Sequence, residues 1–243
     1  MAHEFACFFA QLPVRSTIGT TIELCDEQLI HRLHNVLRVQ ADESLTLFNH
    51  HTVVHCIVRQ MRKRQIQVEI LQANPIVALQ PELTLLLGVL KKDALQEAVY
   101  AATELGVTTI RLLQTNQVHR QFMGPIELRK LQLTAIAAAE QSKNFFIPTI
   151  IPPMTLQQLV QETAHVSAKI LCDITGTSII KHLASLQDHQ ARHIAIAIGP
   201  EGDFIQQERQ TLLAAGFVPC RLTTTVLRST QAVAVACGII RSL

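Results

Sequence analysis

The residues best suited to hold a ligand fall in two places near the end of the chain. Gly199-Pro200-Glu201-Gly202-Asp203 brings two carboxylates into a turn that directly follows the apolar run Ile194–Ile198. Thr223–Arg228 lies between a second apolar segment, Phe217–Leu222, and a helical stretch from about Ser229, and it ends on a guanidinium. Alternating small and β-branched apolar residues predict a strand buried on both faces. Gly199-Pro200 stops that strand, and Asp203 with Gln206 three residues on predicts a helix N-terminus. Each place therefore reads as strand, loop, helix. In an open α/β sheet, ligands sit in the crevice beyond the strands' carboxyl ends, so the two loops are expected to face each other across one pocket. A strand followed by Gly-Pro is also ordinary punctuation, and the residues alone leave both readings open. A nucleotide phosphate loop is the weaker idea, because GxxxxGK[ST] is missing and no lysine follows Gly202.

Two other clusters carry charge or ligating groups. Arg59-Gln60-Met61-Arg62-Lys63-Arg64 is the densest basic stretch. It reads equally as a solvated hairpin turn with charged edges or as a phosphate contact that releases counterions. His31 and His34 have the i, i+3 spacing of a metal pair, but no carboxylate or thiol supplies a third ligand, and no metal site is expected. The same holds for His50, His51 and His55.

The elements that must position these residues change character along the chain. Residues 1–72 read as a small β domain, with strands at Leu45–Phe48, Val53–Val58 and Ile66–Ile70 and a helix over Asp26–Arg38 that buries Leu29, Ile30, Leu33 and Leu37. That helix leaves Arg32 and Arg38 to point elsewhere. Residues 73–81 read as a linker, since Pro75 and Pro81 hinder regular structure. From 82 to 243, strands alternate with helices: Leu83–Leu90, Val107–Leu113 and Ala168–Asp173 as strands, Ala94–Leu105, Pro125–Ser142, Leu156–Ala164 and Ser178–Leu186 as helices, and Phe145–Pro153 as a loop. That alternation predicts an α/β fold with a mostly parallel sheet covered on both faces.

Composition narrows the class. The 243 residues give ample length for a real core. Although 48% are apolar, no run approaches the roughly 18 residues needed to cross a membrane. Met1-Ala2-His3-Glu4 has neither the basic flank nor the apolar run of a secretory leader. The cysteines Cys7, Cys25, Cys56, Cys172, Cys220 and Cys237 are scattered without a CxxC pair and read as buried free thiols of a cytoplasmic protein. A net charge of +2 is too small to announce a nucleic-acid partner, so any RNA footprint must be a local patch.

Ile198-Gly199-Pro200-Glu201-Gly202-Asp203-Phe204 followed by Val226-Leu227-Arg228 resembles the paired signatures of the bacterial 16S ribosomal RNA uridine-N3 methyltransferases, the RsmE type of the SPOUT superfamily. Thr103-Glu104-Leu105-Gly106-Val107, Glu140-Gln141-Ser142 and Val36-Leu37-Arg38 match further motifs in the family's order, so the resemblance covers nearly the whole chain. It implies a C-terminal SPOUT-like α/β domain with a trefoil knot, preceded by a PUA-like β barrel that helps hold 16S ribosomal RNA or the small ribosomal subunit. It implies S-adenosylmethionine bound by the two loops, largely through backbone groups, with contacts at Ile198, Gly199, Gly202, Leu222, Val226 and Leu227. It also implies a homodimer, because the apolar last helix (Ala232–Ala236, Ile239, Ile240) must be covered on more than one face. RNA contact falls to Arg38, Arg59, Arg62, Lys63 and Arg64.

Methylation at a uracil N3 requires loss of the N3–H proton. Arginine cannot accept it, so Arg228 is expected to orient the base or stabilise negative charge on it. The proton acceptor would be a carboxylate or histidine within about 3 Å. The family's glutamate after Leu227-Arg228 is Thr230 here, which leaves Glu201 and Asp203 as the local carboxylates. Other departures are Glu4 and Cys7 ahead of Phe8-Phe9, Ala101 for a lysine, Gln117 for an arginine, Lys143-Asn144 for Gly-Arg, and Thr223 and Thr225 in the second loop. Two readings follow: a working methyltransferase with drifted side chains, or a catalytically impaired SPOUT-fold protein that binds RNA or serves ribosome assembly.

Overall fold

The computed structural model describes residues 5–13, 17–117, 121–187 and 192–242, so Met1–Glu4 lie outside the described residues. The chain forms two compact units. Unit one comprises residues 1–77 with Glu140–Phe146, and unit two comprises 78–139 with 147–243.

Unit one is a five-stranded mixed sheet in the order β1-β3-β4-β5-β2. Its strands are β1 (Phe5–Phe8), β2 (Thr21–Leu24), β3 (Ser44–Phe48), β4 (Thr52–Arg62) and β5 (Gln65–Pro75). The period-2 alternation of β5 has its physical cause in burial, because Ile66, Val68 and Ile70 point into the core while their neighbours face out. β1 pairs parallel to β3, and the remaining pairs are antiparallel. Residues 73–75, assigned above to the linker, are the last three of β5.

The helix expected over Asp26–Arg38 is interrupted. Asp26 caps α1 (Glu27–His31) by accepting from the Leu29 N–H at 2.7 Å, a π-helical turn follows over Arg32–Val36, and Arg38 ends the segment at φ 54°. Leu29, Ile30 and Leu33 are buried as expected. Arg32 makes a two-pronged pair with Glu140, both N–O distances being 2.7 Å, and the Phe8 N–H donates to the same carboxylate at 2.8 Å. Cys7 lies in this core, where burial pushes its thiol up to about 12.

Unit two is a six-stranded parallel sheet in the order β11-β9-β10-β6-β7-β8. The strands are β6 (Glu82–Gly88), β7 (Thr109–Leu113), β8 (Thr149–Met154), β9 (Ala168–Ser178), β10 (His193–Ile198) and β11 (Val218–Arg221). The helices are α2 (Lys92–Glu104), α3 (Pro125–Ser142, whose last turn belongs to unit one), α4 (Leu156–Glu162), α5 (Ile179–Gln187), α6 (Gln206–Ala214) and α7 (Ser229–Arg241). Alternate residues of β10 and β6 enter two separate apolar cores. Ile194, Ile196, Ile198, Leu85 and Leu87 join one with α2, α3, α5 and α7, while Ala195, Ala197 and Leu86 join the other with α4 and α6. Both faces are therefore covered, which is why β10 reads as an unbroken apolar run.

Three expectations are corrected. Residues 145–153 are not all loop, because β8 carries Pro152 and Pro153, which are tolerated where a strand borders the sheet and one row of N–H groups has no ladder to join. Asp203 does not cap α6. It sits at φ 62°, its Oδ1 accepts the Phe204 N–H at 2.7 Å, and the helix is instead entered at Ile205, whose N–H donates to Glu208 at 3.0 Å. Finally, the thiols are not uniformly buried: Cys25 is exposed and Cys172 half-buried.

Candidate functional site

The carboxyl ends of β9, β10 and β11, with the start of α2, enclose a cavity of about 680 Å³, a size suited to a small-molecule ligand. The first loop leaves β10 at Ile198. Its turn is closed by the Asp203 N–H donating to the Pro200 carbonyl at 3.0 Å, and Glu201 reaches the Lys91 N–H ahead of α2 at 3.0 Å. Gly88, ending β6, lies so close that a Cβ would stand 2.6 Å from the Pro200 nitrogen and Cδ. The second loop leaves β11 at Leu222 and is braced internally by the Thr223 hydroxyl donating to the Thr225 carbonyl at 2.7 Å. Ser229 opens α7 and ties the two loops together, its hydroxyl donating to the Gly199 carbonyl at 2.9 Å.

β9 supplies the third wall. It pairs with β10 only through Leu171 and with β11 again from Thr177, so residues 172–176 leave the ladder and 172–175 line the cavity. Gly176 is required there, since a Cβ would fall 2.3 Å from the Pro219 carbonyl. Asp173 is buried in this wall, forms an ion pair with Arg209, and accepts from the Thr175 N–H and hydroxyl at 2.8 and 2.7 Å. Burial, with Cys237 and Cys220 nearby, pushes the Cys172 thiol well up, so it stays a neutral thiol and a poor nucleophile.

Of the residues singled out from sequence, Ile198, Gly199, Leu222, Val226, Leu227 and Arg228 line this one cavity. Gly202 sits exposed in the first loop without lining it. Arg228 is the N-cap of α7 through its backbone only, and its guanidinium has no hydrogen bond or ion pair among the described residues. Thr230 is buried, with its hydroxyl on Gln231 at 3.2 Å. Glu201 and Asp203 are not the only local carboxylates, because Asp173 and Glu97 line the cavity too. Asp173 shares β9 with a readable strand signal, whereas Glu97 belongs to α2 and no motif points to it.

The basic residues form a separate group in unit one. Lys63 and Arg64 make the exposed two-residue turn between β4 and β5, and Arg62 ends β4 beside it. Arg38 is exposed as well. Arg59 is already held by Glu69 at 2.7 Å and Asp42 at 3.2 Å. His34 donates from its Nε2 to the Arg62 carbonyl at 3.0 Å, which is a structural contact. Among the described residues, no group of three or more His, Cys, Asp or Glu side chains could hold a metal ion.

A family model described as an RNA methyltransferase domain matches residues 78–241. The chain belongs to this family. The whole cavity lies within the matched span. Proteins named ribosomal RNA small subunit methyltransferase E are similar over more of the chain. That of Mycobacterium tuberculosis is 27% identical over 84% of this chain and 80% of its own length. That of Rickettsia conorii is 27% identical over 93% of this chain and 91% of its own. The crystal structure of the Neisseria gonorrhoeae protein of that name, bound to S-adenosyl methionine, shares the fold with a TM-score of 0.85 at 23% identity, covering 99% of this chain and 98% of that one.

Proposed function

We propose that the chain is an S-adenosylmethionine-dependent methyltransferase acting on N3 of a uridine in 16S ribosomal RNA. One observation carries the reading: two loops 24 residues apart (Gly199 and Thr223) wall a single cavity inside the matched methyltransferase domain and are bonded together at Ser229. The residues fit the cofactor. Ile198, Leu90, Leu222 and Leu227 offer an apolar bed for a purine, exposed backbone in both loops offers donors and acceptors, and the cavity's carboxylates suit a cationic sulfonium and ammonium. When bound, S-adenosylmethionine supplies an electrophilic methyl group. Ile198, Gly199, Leu222, Val226 and Leu227 hold it, Gly202 only shapes the turn of the first loop, and Arg228 stabilises the negative charge that uracil acquires as N3 loses its proton.

In this reading the chain acts on 16S RNA or the small ribosomal subunit in the cytoplasm. Unit one, a PUA-like barrel, grips RNA phosphates through Arg38, Arg62, Lys63 and Arg64. Arg59 joins them only by leaving Glu69 or Asp42. Unit two carries the SPOUT trefoil knot and forms a homodimer through α7. Among the described residues no helix is long and apolar enough to cross a membrane.

The test is calorimetric titration with S-adenosylmethionine and transfer of labelled methyl to naked 16S RNA and to small subunits, for wild type and Gly88→Ala. The Cβ at position 88 meets backbone of the first loop, so binding is expected to weaken at least about tenfold while circular dichroism stays unchanged. Unchanged affinity in the variant places the ligand elsewhere. Binding without transfer to either RNA supports instead the impaired reading, with Thr230 and Gln117 the first residues to revert.

A further inference from the structure

We propose that Glu97 is the proton acceptor for the methylated base. The inference rests on the methyltransferase reading above. N3 of uracil attacks the sulfonium methyl only as its proton leaves, and the acceptor must be a carboxylate or imidazole within hydrogen-bond reach. Among the described residues no histidine lines the cavity, and the lining carboxylates are Glu97, Asp173, Glu201 and Asp203. Asp173 is locked by Arg209 and Thr175. Asp203 is turned back onto the Phe204 N–H, and Glu201 is held by the Lys91 N–H, so each is oriented by its own loop. Glu97 alone of the four has no hydrogen bond or ion pair among the described residues, and its side chain is exposed. Its helical neighbours do not supply a cation: Asp93 and Ala94 lie one turn before it, Tyr100 and Ala101 one turn after. Ala94 lines the same cavity three residues earlier, so Glu97 belongs to the face of α2 that looks into it.

The step balances as follows. The N3–H bond breaks and its proton passes to a Glu97 carboxylate oxygen. The N3 electron pair forms the new N–C bond to the methyl carbon, and the C–S bond breaks with its electrons retained on sulfur, which leaves as a neutral thioether. Among the described residues Arg228 and Arg209 are the cationic groups lining the cavity, and Arg228, the unpaired one, is available to the charge this transfer creates.

Glu97→Gln keeps the shape of the side chain and removes its capacity to take a proton. Wild type, Glu97→Gln and Glu97→Asp should be compared in single-turnover transfer to small-subunit RNA with saturating S-adenosylmethionine, alongside cofactor affinity by calorimetry and melting temperature. The Gln variant is expected to lose about a hundredfold or more in rate with cofactor affinity and melting temperature unchanged. Its residual rate should rise with pH as hydroxide takes over, and Asp should restore part of the loss. An unchanged rate in Glu97→Gln overturns the assignment, as does a fall in cofactor affinity that accounts for the rate, which would make Glu97 a ribose or sulfonium contact. If wild type itself transfers nothing, the methyltransferase reading fails and this inference with it.

Discussion

Arg228 stands at the cavity with its backbone committed to capping α7 and its guanidinium uncommitted. A charge left free by the fold is free to act on a ligand, and its removal leaves no internal partner stranded. Arg228→Ala is therefore expected to slow methyl transfer by on the order of a hundredfold, with S-adenosylmethionine affinity and melting temperature little changed. A drop in melting temperature with equal turnover would return it to a structural role. Arg32 is the contrasting case. The expectation that it points elsewhere gives no hint that it grips Glu140, which is 108 positions away and whose side chain is only 6% exposed. The Glu140-Gln141-Ser142 motif is legible as sequence, but the role of Glu140 as a clamp on Arg32 and the Phe8 N–H depends on tertiary pairing. Glu97 is hidden for a similar reason: a lone carboxylate on a helix means nothing until the loops after Ile198 and Arg221 are found lining the same cavity.

At the scale of elements, the strands and helices of unit two follow from periodicity, because their buried apolar positions divide between two cores. What stays illegible is long-range bonding that overrides local signals. Prolines at 152 and 153 argue against a strand, and only the position of β8 at the sheet border makes them harmless. Asp203 has the residue type of a cap, but its left-handed backbone turns the carboxylate onto Phe204. At the far end of α7, Arg241 donates to the carbonyls of Leu105, Gly106 and Pro81 at 2.9, 2.7 and 2.7 Å, satisfying the end of α2 with a side chain more than 130 positions away. The pairing of β10 with β6 carries a titratable contact of the same kind. His193 Nε2 lies 2.8 Å from the Thr84 hydroxyl. Burial first, then His165 and Arg111, hold its imidazole below the ordinary 6.5, with Glu82 opposing. The folded state thus binds this proton less readily than the unfolded chain, so its stability is fully present above about pH 6.5 and is lost as pH falls through the depressed value. His182 on α5, lowered by burial, acts in the same direction. Melting temperature is expected to fall from pH 7 toward pH 5, and His193→Gln should flatten part of that fall. Parallel profiles for variant and wild type would remove His193 from the account.

The whole molecule raises the matter of what covers α7. An apolar helix is covered on every side in a stable assembly. Within one chain, Ala232, Val233, Ala236, Cys237 and Ile240 are buried, whereas Ala234, Val235, Gly238 and Ile239 are left half-exposed. Val226, in the loop just before the helix, is 82% exposed at the mouth of the cavity. Ile239 still packs against the core of its own unit, but Val235 does not belong to that cluster. A second copy laid against this face would bury Val235, and Val226 lies at the cavity mouth close by in sequence. Apolar surface of this kind is stabilising only once water is excluded from it. Wild type is accordingly expected to scatter light as twice the chain mass at micromolar concentration. Val235→Glu would force a carboxylate into that interface without touching the core, so it should shift the protein to the mass of one chain while leaving its far-ultraviolet circular dichroism intact. If the cavity is finished by the partner, methyl transfer should fall in step with dimer content on dilution, and raising the concentration of the variant should not restore it. A wild-type protein that scatters as a single chain, or a Val235→Glu protein that remains a dimer, would show that α7 is covered in some other way.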